Sequence, residues 1–499
     1  MPTEPVFENF SVKEKAGETV CRIKVECKTD VPSEAVEKIL NDGACVTIAA
    51  GAALDGRAEF TGRATFFVCY VSADGIKKCE CGAEIKDAFV SDAIAEGDAV
   101  KVSWTTEKTE VDLSGLKASV SAFLTVKGEF FRKTEYAALT GGDGIYCDLS
   151  ETRVIKSFGA VNSVYSAEEE FELPFAVAEV MSHRAEACVT AVQCGVGSVI
   201  CDGEIYLTEI LLQSGEKNDI IRKNEIIPFR AEIECEDAMP TLNATCRAFV
   251  KSLKTDIGVD EEKNISTLTA KITVGLTGEA FADREETFAT DAFSTENQLT
   301  LTKKRVAFSV EKEPFGAYAR LVGRAETEDT GGARIVAVIS EKAEVASAEK
   351  KDGKLAVSGA LTFNVLMRGE DGVVFTRKAE TPFETEIACD FVCPCEVVAT
   401  PKSATAKLLT LTEMETEAEV VFTVYPTETL QAEIISAVET GEQKVAETAA
   451  VSVYIPLAGE GLWGLSKRLN VCPETLIATN GDLQFPLTGK ERIVVYRQK

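Results

Sequence analysis

One short pattern occurs three times in the chain, and its first copy reads EFTGRATFFVCYVSADG from Glu59 to Gly75. The second copy covers residues 199–215 and the third covers residues 355–372. Each copy places a glycine before a run of strand-forming residues, with apolar side chains two, four and eight positions later and another glycine in the turn. Strand side chains alternate, so these apolar residues share one face. The sixth position is also apolar in copies one and three, but Glu209 occupies it in copy two. The pattern predicts one amphipathic β-hairpin in three places.

The glycines that open the pattern set a long period. Gly62, Gly203 and Gly359 are 141 and 156 residues apart. A solenoid repeat has roughly 20–50 residues, whereas a whole domain commonly has about 100–150. The period therefore predicts three entire domains in tandem.

Composition and alternation favour an all-β chain. The sequence has 499 residues, of which 45% are hydrophobic, and period-two alternation outnumbers helical periodicity, as in antiparallel sandwiches. We predict a mainly all-β fold of three tandem antiparallel β-sandwich-like repeats, followed by a small α+β module. A short helix is also predicted from Ser33 to Leu40. The predicted boundaries are 1–152, 153–304 and 305–437 for the repeats, 438–450 for a polar linker and 451–499 for the module.

The net charge of −28 restricts the classes of partner. Nucleic acids and anionic membranes attract clustered Lys and Arg, so we expect neither as a partner. The negative charge is explained either by solubility alone or, alternatively, by binding to a basic protein partner. The first residues lack the basic and apolar regions of a signal peptide, and no run approaches the roughly 20 apolar residues of a membrane helix. We expect a soluble protein that stays in the compartment where it is made.

The 16 cysteines are expected to be reduced, because no export signal is present. Several lie in strand patterns, where cysteine behaves as a small apolar residue: Cys45, Cys69, Cys188 and Cys201. The close pairs Cys79/Cys81 and Cys393/Cys395 have one intervening residue, which is not the C-x2–4-C spacing of a zinc knuckle. The single histidine, His183, is expected to be structural, and no metal or cofactor site is predicted.

The last fifty residues change character. Leucines at i, i+3 and i+7 predict one helix, and Pro473 suits the first turn of a second helix that ends at Asn480-Gly481. Short strands are predicted over residues 454–457 and 492–496, which makes the order β-α-α-β. The leucines of the first helix are Leu462, Leu465 and Leu469.

This tail resembles a LysM module. The resemblance rests on GEGLW at residues 459–463, Asn480, LTG at 487–489 and the closing strand. Gly461 stands where that family has Thr or Ser. LysM modules generally bind N-acetylglucosamine polymers through two loops. The resemblance implies a binding site formed by Gly459, Glu460, Gly461, Leu462, Asn480, Leu483, Pro486 and Leu487.

The repeats resemble the SPOCS domains of clostridial spore-coat proteins. The features that carry this resemblance are the glycine-led hairpin, recurring Pro-Phe pairs and the loop DAFST at residues 291–295, similar to that family's Asp-Ala-Tyr-Ser signature. The first repeat lacks the Pro-Phe pairs and has only a loose version of the loop at 143–146. With the LysM-like tail, the architecture resembles the SipL-like family of clostridial spore-coat morphogenesis proteins.

That resemblance implies a non-enzymatic scaffold in the mother-cell cytoplasm, at the forespore surface and spore coat. Its partners would be the coat ATPase SpoIVA, bound chiefly through the LysM-containing end, and other coat proteins. The alternative is a peptidoglycan-binding LysM protein. Catalysis has little support in the sequence, which contains neither a phosphate-binding P-loop nor a Gly-x-Ser-x-Gly motif and offers only His183 as an imidazole base.

Overall fold

A computed structural model of the chain describes residues 4–30, 36–73, 75–114, 117–215, 219–260, 262, 264–391, 394–445, 450–481 and 483–496. Strands make up 78% of it and helices 3%. All strand pairs are antiparallel. The mainly all-β prediction is confirmed.

The first six strands form two three-stranded sheets, which we call unit 1. The sheet orders are β1-β6-β5 and β2-β3-β4. The strands are β1 (Glu4–Asp30), β2 (Lys38–Leu54), β3 (Arg57–Ser72), β4 (Gly75–Val90), β5 (Ala99–Ser114) and β6 (Lys117–Asp143).

The next six strands repeat this topology as unit 2. Here the sheet orders are β7-β12-β11 and β8-β9-β10. The strands are β7 (Tyr146–Leu173), β8 (Val177–Cys194), β9 (Ser198–Gln213), β10 (Ile220–Glu234), β11 (Asn243–Asp260) and β12 (Ile265–Phe293).

Unit 3 repeats the topology with one change. Its first strand is divided into β13 and β14 around residues 312–314, because Pro314 has no N–H to donate to a ladder. Both halves pair with β19, which also pairs with β18, and β15-β16-β17 form the second sheet. The strands are β13 (Asn297–Glu311), β14 (Phe315–Glu326), β15 (Arg334–Lys351), β16 (Lys354–Arg368), β17 (Val374–Ala388), β18 (Cys395–Leu408) and β19 (Glu413–Gln443).

The recurring hairpin pattern occupies the central strand of the smaller sheet in every unit. A Cβ on the leading glycine would lie 2.0–2.4 Å from a carbonyl oxygen of the preceding strand, so no larger residue fits. In units 2 and 3 the ring of Phe229 or Phe383 also covers this glycine, and Ile85 takes the paired position in unit 1. The Pro-Phe pairs missing from repeat one thus correspond to a local difference in packing.

The predicted apolar face of each hairpin is buried inside its own sandwich. Glu209 lies among these residues and is only 1% exposed. The other buried members are Ala64, Phe66, Val68 and Tyr70, then Ile205, Leu207 and Leu211, and finally Leu361, Phe363, Val365 and Met367.

The opposite faces of the small sheets meet one another. Seven positions after the leading glycines stand Cys69, Ile210 and Leu366, which are at most 1% exposed and belong to one cluster. A second shared cluster joins the far ends of the long strands, with Ala138 from unit 1, Phe281 from unit 2 and Ile434 from unit 3. The three units are therefore packed together around common cores.

The C-terminal module has the predicted β-α-α-β order. Its elements are β20 (Val451–Tyr454), α1 (Leu462–Leu469), α2 (Pro473–Asn480) and β21 (Ile493–Tyr496), with β20 paired to β21. Each helix has eight residues, so neither of the two described helices can span a membrane.

Several local predictions differ from the structure. The helix expected over 33–40 is wrong at residues 38–40, which belong to β2, and residues 33–35 lie outside the described residues. The first strand of the module lies over 451–454 instead of 454–457. Strand β19 continues to Gln443, into the segment expected as a linker. Cys69, Cys188 and Cys201 are buried as expected, whereas Cys45 is exposed.

Candidate functional site

The two loops implied by the LysM resemblance come together in the module. The N–H of Gly459 donates to the carbonyl oxygen of Leu487 at 2.7 Å, and the N–H of Leu487 donates to the carbonyl oxygen of Glu460 at 2.9 Å. The structure thus joins residues 459–462 to residues 483–487 on one surface of the module.

The polar side chains of these loops are bonded within the module itself. The carboxylate of Glu460 accepts two hydrogen bonds from the guanidinium of Arg468, both at 2.8 Å, and one from the N–H of Leu457 at 2.9 Å. The Arg468 contact lowers the pKa of Glu460. The Asn480 amide donates to the carbonyl oxygens of Leu476 and Val494 at 2.9 and 2.8 Å, holding α2 against β21.

The remaining predicted site residues divide by exposure. Leu487 is buried in the module core, and Leu462 and Leu483 pack against that core. Gly459, Gly461 and Pro486 are exposed. Gly461 is the N-cap residue of α1 and provides no side-chain hydrogen bond there. Three of the eight predicted residues are therefore open to a ligand on this surface.

Trp463 connects the module to the end of β12. Its indole N–H donates to the Asp291 carboxylate at 2.9 Å, and its ring meets Phe293 edge-on with centroids 5.1 Å apart. The ammonium of Lys467 lies 2.7 Å from both Asp291 oxygens. Partial burial raises the pKa of Asp291, but the hydrogen bonds from Lys467 and Trp463 outweigh it, so the net pKa is lowered.

Further hydrogen bonds reinforce this contact. The Asn470 amide donates to the carbonyl oxygen of Thr295 at 2.8 Å. The Lys444 ammonium bridges the carbonyl oxygen of Ser294 and the side-chain oxygen of Asn470, both at 2.7 Å. Partial burial, together with the nearby charge of Lys467, lowers the pKa of Lys444. The DAFST loop therefore holds the module against unit 2, a role that sequence reasoning missed.

An apolar surface remains exposed on the opposite side of β20 from the module core. We call it the apolar ridge. Within β20, Val451 and Val453 point away from the module core, as the strand period requires. The exposed Ile455 and Leu457 follow the end of the strand. Tyr496 pairs with Val451 across the two strands and shares the face. The ridge consists of Val451 (53% exposed), Val453 (60%), Ile455 (70%), Leu457 (65%) and Tyr496 (59%).

The ridge was detectable in principle from the sequence. Residues 451–457 alternate with apolar side chains at every odd position, which is the signal of a strand with one apolar face. What the sequence could not indicate is that the module core lies on the other face. Contiguous exposed apolar surface on a protein marks sites of interaction with other macromolecules.

The single histidine and the buried Glu209, two side chains with possible catalytic chemistry, are linked in the interior through the hydroxyl group of Thr255. Nδ1 of His183 lies 3.2 Å from the Thr255 hydroxyl, which also donates to Glu209 at 2.9 Å. Burial lowers the pKa of His183 and raises that of Glu209 to about 8. Among the described residues, no three His, Cys, Asp or Glu side chains are grouped so as to hold a metal ion.

No protein-family model matches this chain, and no curated protein or solved structure matches it either.

Proposed function

We propose that this chain is a non-enzymatic scaffold of spore-coat assembly whose C-terminal module binds a protein partner through the apolar ridge. The exposed ridge is the observation that carries the proposal. The resemblance to the SipL-like family nominates the coat ATPase SpoIVA as that partner. It also places the complex in the mother-cell cytoplasm, at the forespore surface.

The chemistry of the module supports a protein partner over a glycan. A glycan is held by hydrogen bonds, yet the side chains of Glu460 and Asn480 already make their hydrogen bonds within the module. The ridge offers large aliphatic side chains, and burying one of them is worth roughly 1.5–3 kcal/mol. A few such contacts at the centre of an interface provide much of its affinity.

The docking of the module supports a scaffold role. Contacts from Trp463 and Lys467 to Asp291 hold the module against unit 2. A rigidly held ridge loses less conformational freedom on binding than a tethered one. The three-unit body would thereby present the ridge in one orientation.

The test is co-purification of the full chain with SpoIVA from the same organism. We expect Val453→Asp or Ile455→Asp to reduce capture at least tenfold, because a buried charge opposes the apolar contact. Ile477→Asp, the same change at an exposed aliphatic residue of α2, serves as the matched control and should retain capture. Equal capture by all three variants would refute the assignment of the ridge.

Peptidoglycan binding is the second candidate. It is favoured by the contact between the two loops, which leaves Gly459, Gly461 and Pro486 exposed on one surface. Sedimentation with purified peptidoglycan tests it directly. Binding that Val453→Asp leaves intact but a bulky Gly461→Trp change abolishes would support this candidate over the scaffold.

A further inference from the structure

Two cysteine side chains meet where the sheets of unit 1 approach each other. Cys27 lies on β1 and Cys81 on β4, and each strand is at the edge of its sheet. Cα atoms of these two strands approach within 8 Å. The Cys27 thiol donates to the carbonyl oxygen of Gly82 at 3.3 Å, and the Cys81 thiol hydrogen-bonds to the Cys27 sulfur. Cys27 thus meets the backbone immediately after Cys81, which places the two thiols next to each other.

This pair is accessible, in contrast to a second one. Cys27 and Cys81 are both half-buried at the rim of the unit 1 core. Cys201 and Cys246 are also hydrogen-bonded to each other, but both are 0% exposed in the core of unit 2. A small oxidant in solution can reach the first pair, whereas the second is shielded by packed side chains.

We propose that Cys27 and Cys81 form an oxidation site, at which a peroxide converts the two thiols into a disulfide between the edge strands of unit 1. This oxidation does not depend on the proposed scaffold function. It requires only that the two thiols lie next to each other and are open to solvent.

The chemistry balances in two steps. Burial and the neighbouring Cys27 sulfur raise the pKa of the Cys81 thiol to about 12, so Cys81 keeps its proton and Cys27 attacks first. The Cys27 thiolate breaks the O–O bond of hydrogen peroxide, giving a sulfenic acid and, after protonation, one water. The Cys81 sulfur then attacks the Cys27 sulfur, the S–O bond breaks, and the proton of Cys81 leaves with the hydroxide as a second water. Two thiols are oxidised and one peroxide is reduced.

The disulfide would close a loop of about 50 residues between strands of two different sheets. A cross-link of that length stabilises a fold by restricting the unfolded chain. We expect the oxidised protein to melt at a higher temperature than the reduced protein, by on the order of 5 °C.

The experiment treats the full chain with equimolar hydrogen peroxide, blocks the remaining thiols with N-ethylmaleimide and maps disulfides by mass spectrometry after non-reducing digestion. The expected product is a Cys27–Cys81 linked peptide as the predominant disulfide. Cys201 and Cys246 should react with the blocking reagent only after denaturation. A predominant disulfide between other cysteines, or oxidation of Cys27 to sulfinic acid without a cross-link, overturns the proposal.

Cys79 provides a matched control on the same strand. It lies two residues from Cys81 and packs against the same core. Cys79→Ser should retain both the cross-link and the melting-temperature increase, and Cys81→Ser should lose both. Because these readouts compare oxidised and reduced forms of each variant, a small change in folding stability does not obscure them. The reverse pattern would show that Cys79 is the partner, which contradicts the assignment.

Discussion

Replacing Glu209 with valine should stabilise the protein, and the repeats themselves suggest the substitution. Glu209 occupies the position held by Val68 in unit 1 and Val365 in unit 3, and all three side chains are buried. One carboxylate oxygen accepts from Thr255, and the other has no hydrogen-bond partner among the described residues. Valine has a similar volume, and Thr255 keeps its contact with His183.

The magnitude follows from the pKa of Glu209. Burial raises it from its ordinary value of 4.5 to about 8, although Thr255 and Lys78 act in the opposite direction. Between these two pKa values the folded state binds one more proton than the unfolded state. The part of the folding stability that depends on Glu209 is therefore fully present below pH 4.5 and is lost as pH rises towards 8. From the ordinary pKa of 4.5 to pH 7 is two and a half pH units, each worth about 1.4 kcal/mol. The buried carboxyl group of Glu209 therefore lowers the free energy of unfolding by roughly 3 kcal/mol at pH 7.

Urea unfolding of the full chain at pH 5, 7 and 8.5 measures this effect. We expect Glu209→Val to raise the free energy of unfolding by roughly 3 kcal/mol at pH 7 and by less at pH 5. At pH 5 the solution is only about half a pH unit above the ordinary pKa of 4.5, so keeping the buried carboxyl group protonated costs little. Glu209→Gln is the control that removes the charge but keeps the polar shape, so it should flatten the pH dependence with a smaller gain. A parallel loss of stability in wild type and Glu209→Val between pH 5 and 8.5 would contradict this prediction.

Two other predictions concern contacts between parts of the chain. Glu311 accepts hydrogen bonds from Lys101 of unit 1 and Arg247 of unit 2. Burial raises the pKa of Glu311, but these two cations outweigh it and lower the pKa to about 2. Glu311→Gln should therefore lower the free energy of unfolding by about 3 kcal/mol at pH 7. In urea unfolding, the stability difference between wild type and variant should shrink as pH falls from 4.5 towards 2. A stability difference that does not change with pH would contradict this prediction. Asp291→Ala removes the acceptor of Trp463 and Lys467, so limited proteolysis should release the module about tenfold faster. Asp202→Ala, at an exposed ion pair with Arg230, should leave that rate unchanged.

Local patterns in the sequence predicted the main elements of the fold. Alternation after Gly62, Gly203 and Gly359 located three central strands, and the leucine spacing located α1. Such patterns depend on neighbours a few residues apart, and they report which side chains share a face. They do not report what covers that face.

The unpredicted features all depend on contacts between distant segments. Cys69, Ile210 and Leu366 lie on the face opposite the hairpin pattern, and only the assembled units reveal that they meet. Trp463 of the module meets Asp291, 172 residues earlier in the chain. The candidate loops were located by resemblance, but the bonding of Glu460 and Asn480 depends on tertiary geometry that no short motif encodes.

The length of β19 has a mechanical consequence. This strand has 31 residues, roughly 100 Å of extended chain, and it leads towards the C-terminal module. It is hydrogen-bonded to β13 and β14 along successive parts of its length and to β18 as well. A pulling force on the module along β19 would act in shear, perpendicular to these hydrogen bonds. Many bonds would then share the load at once instead of opening one after another, so the attachment should resist high tension.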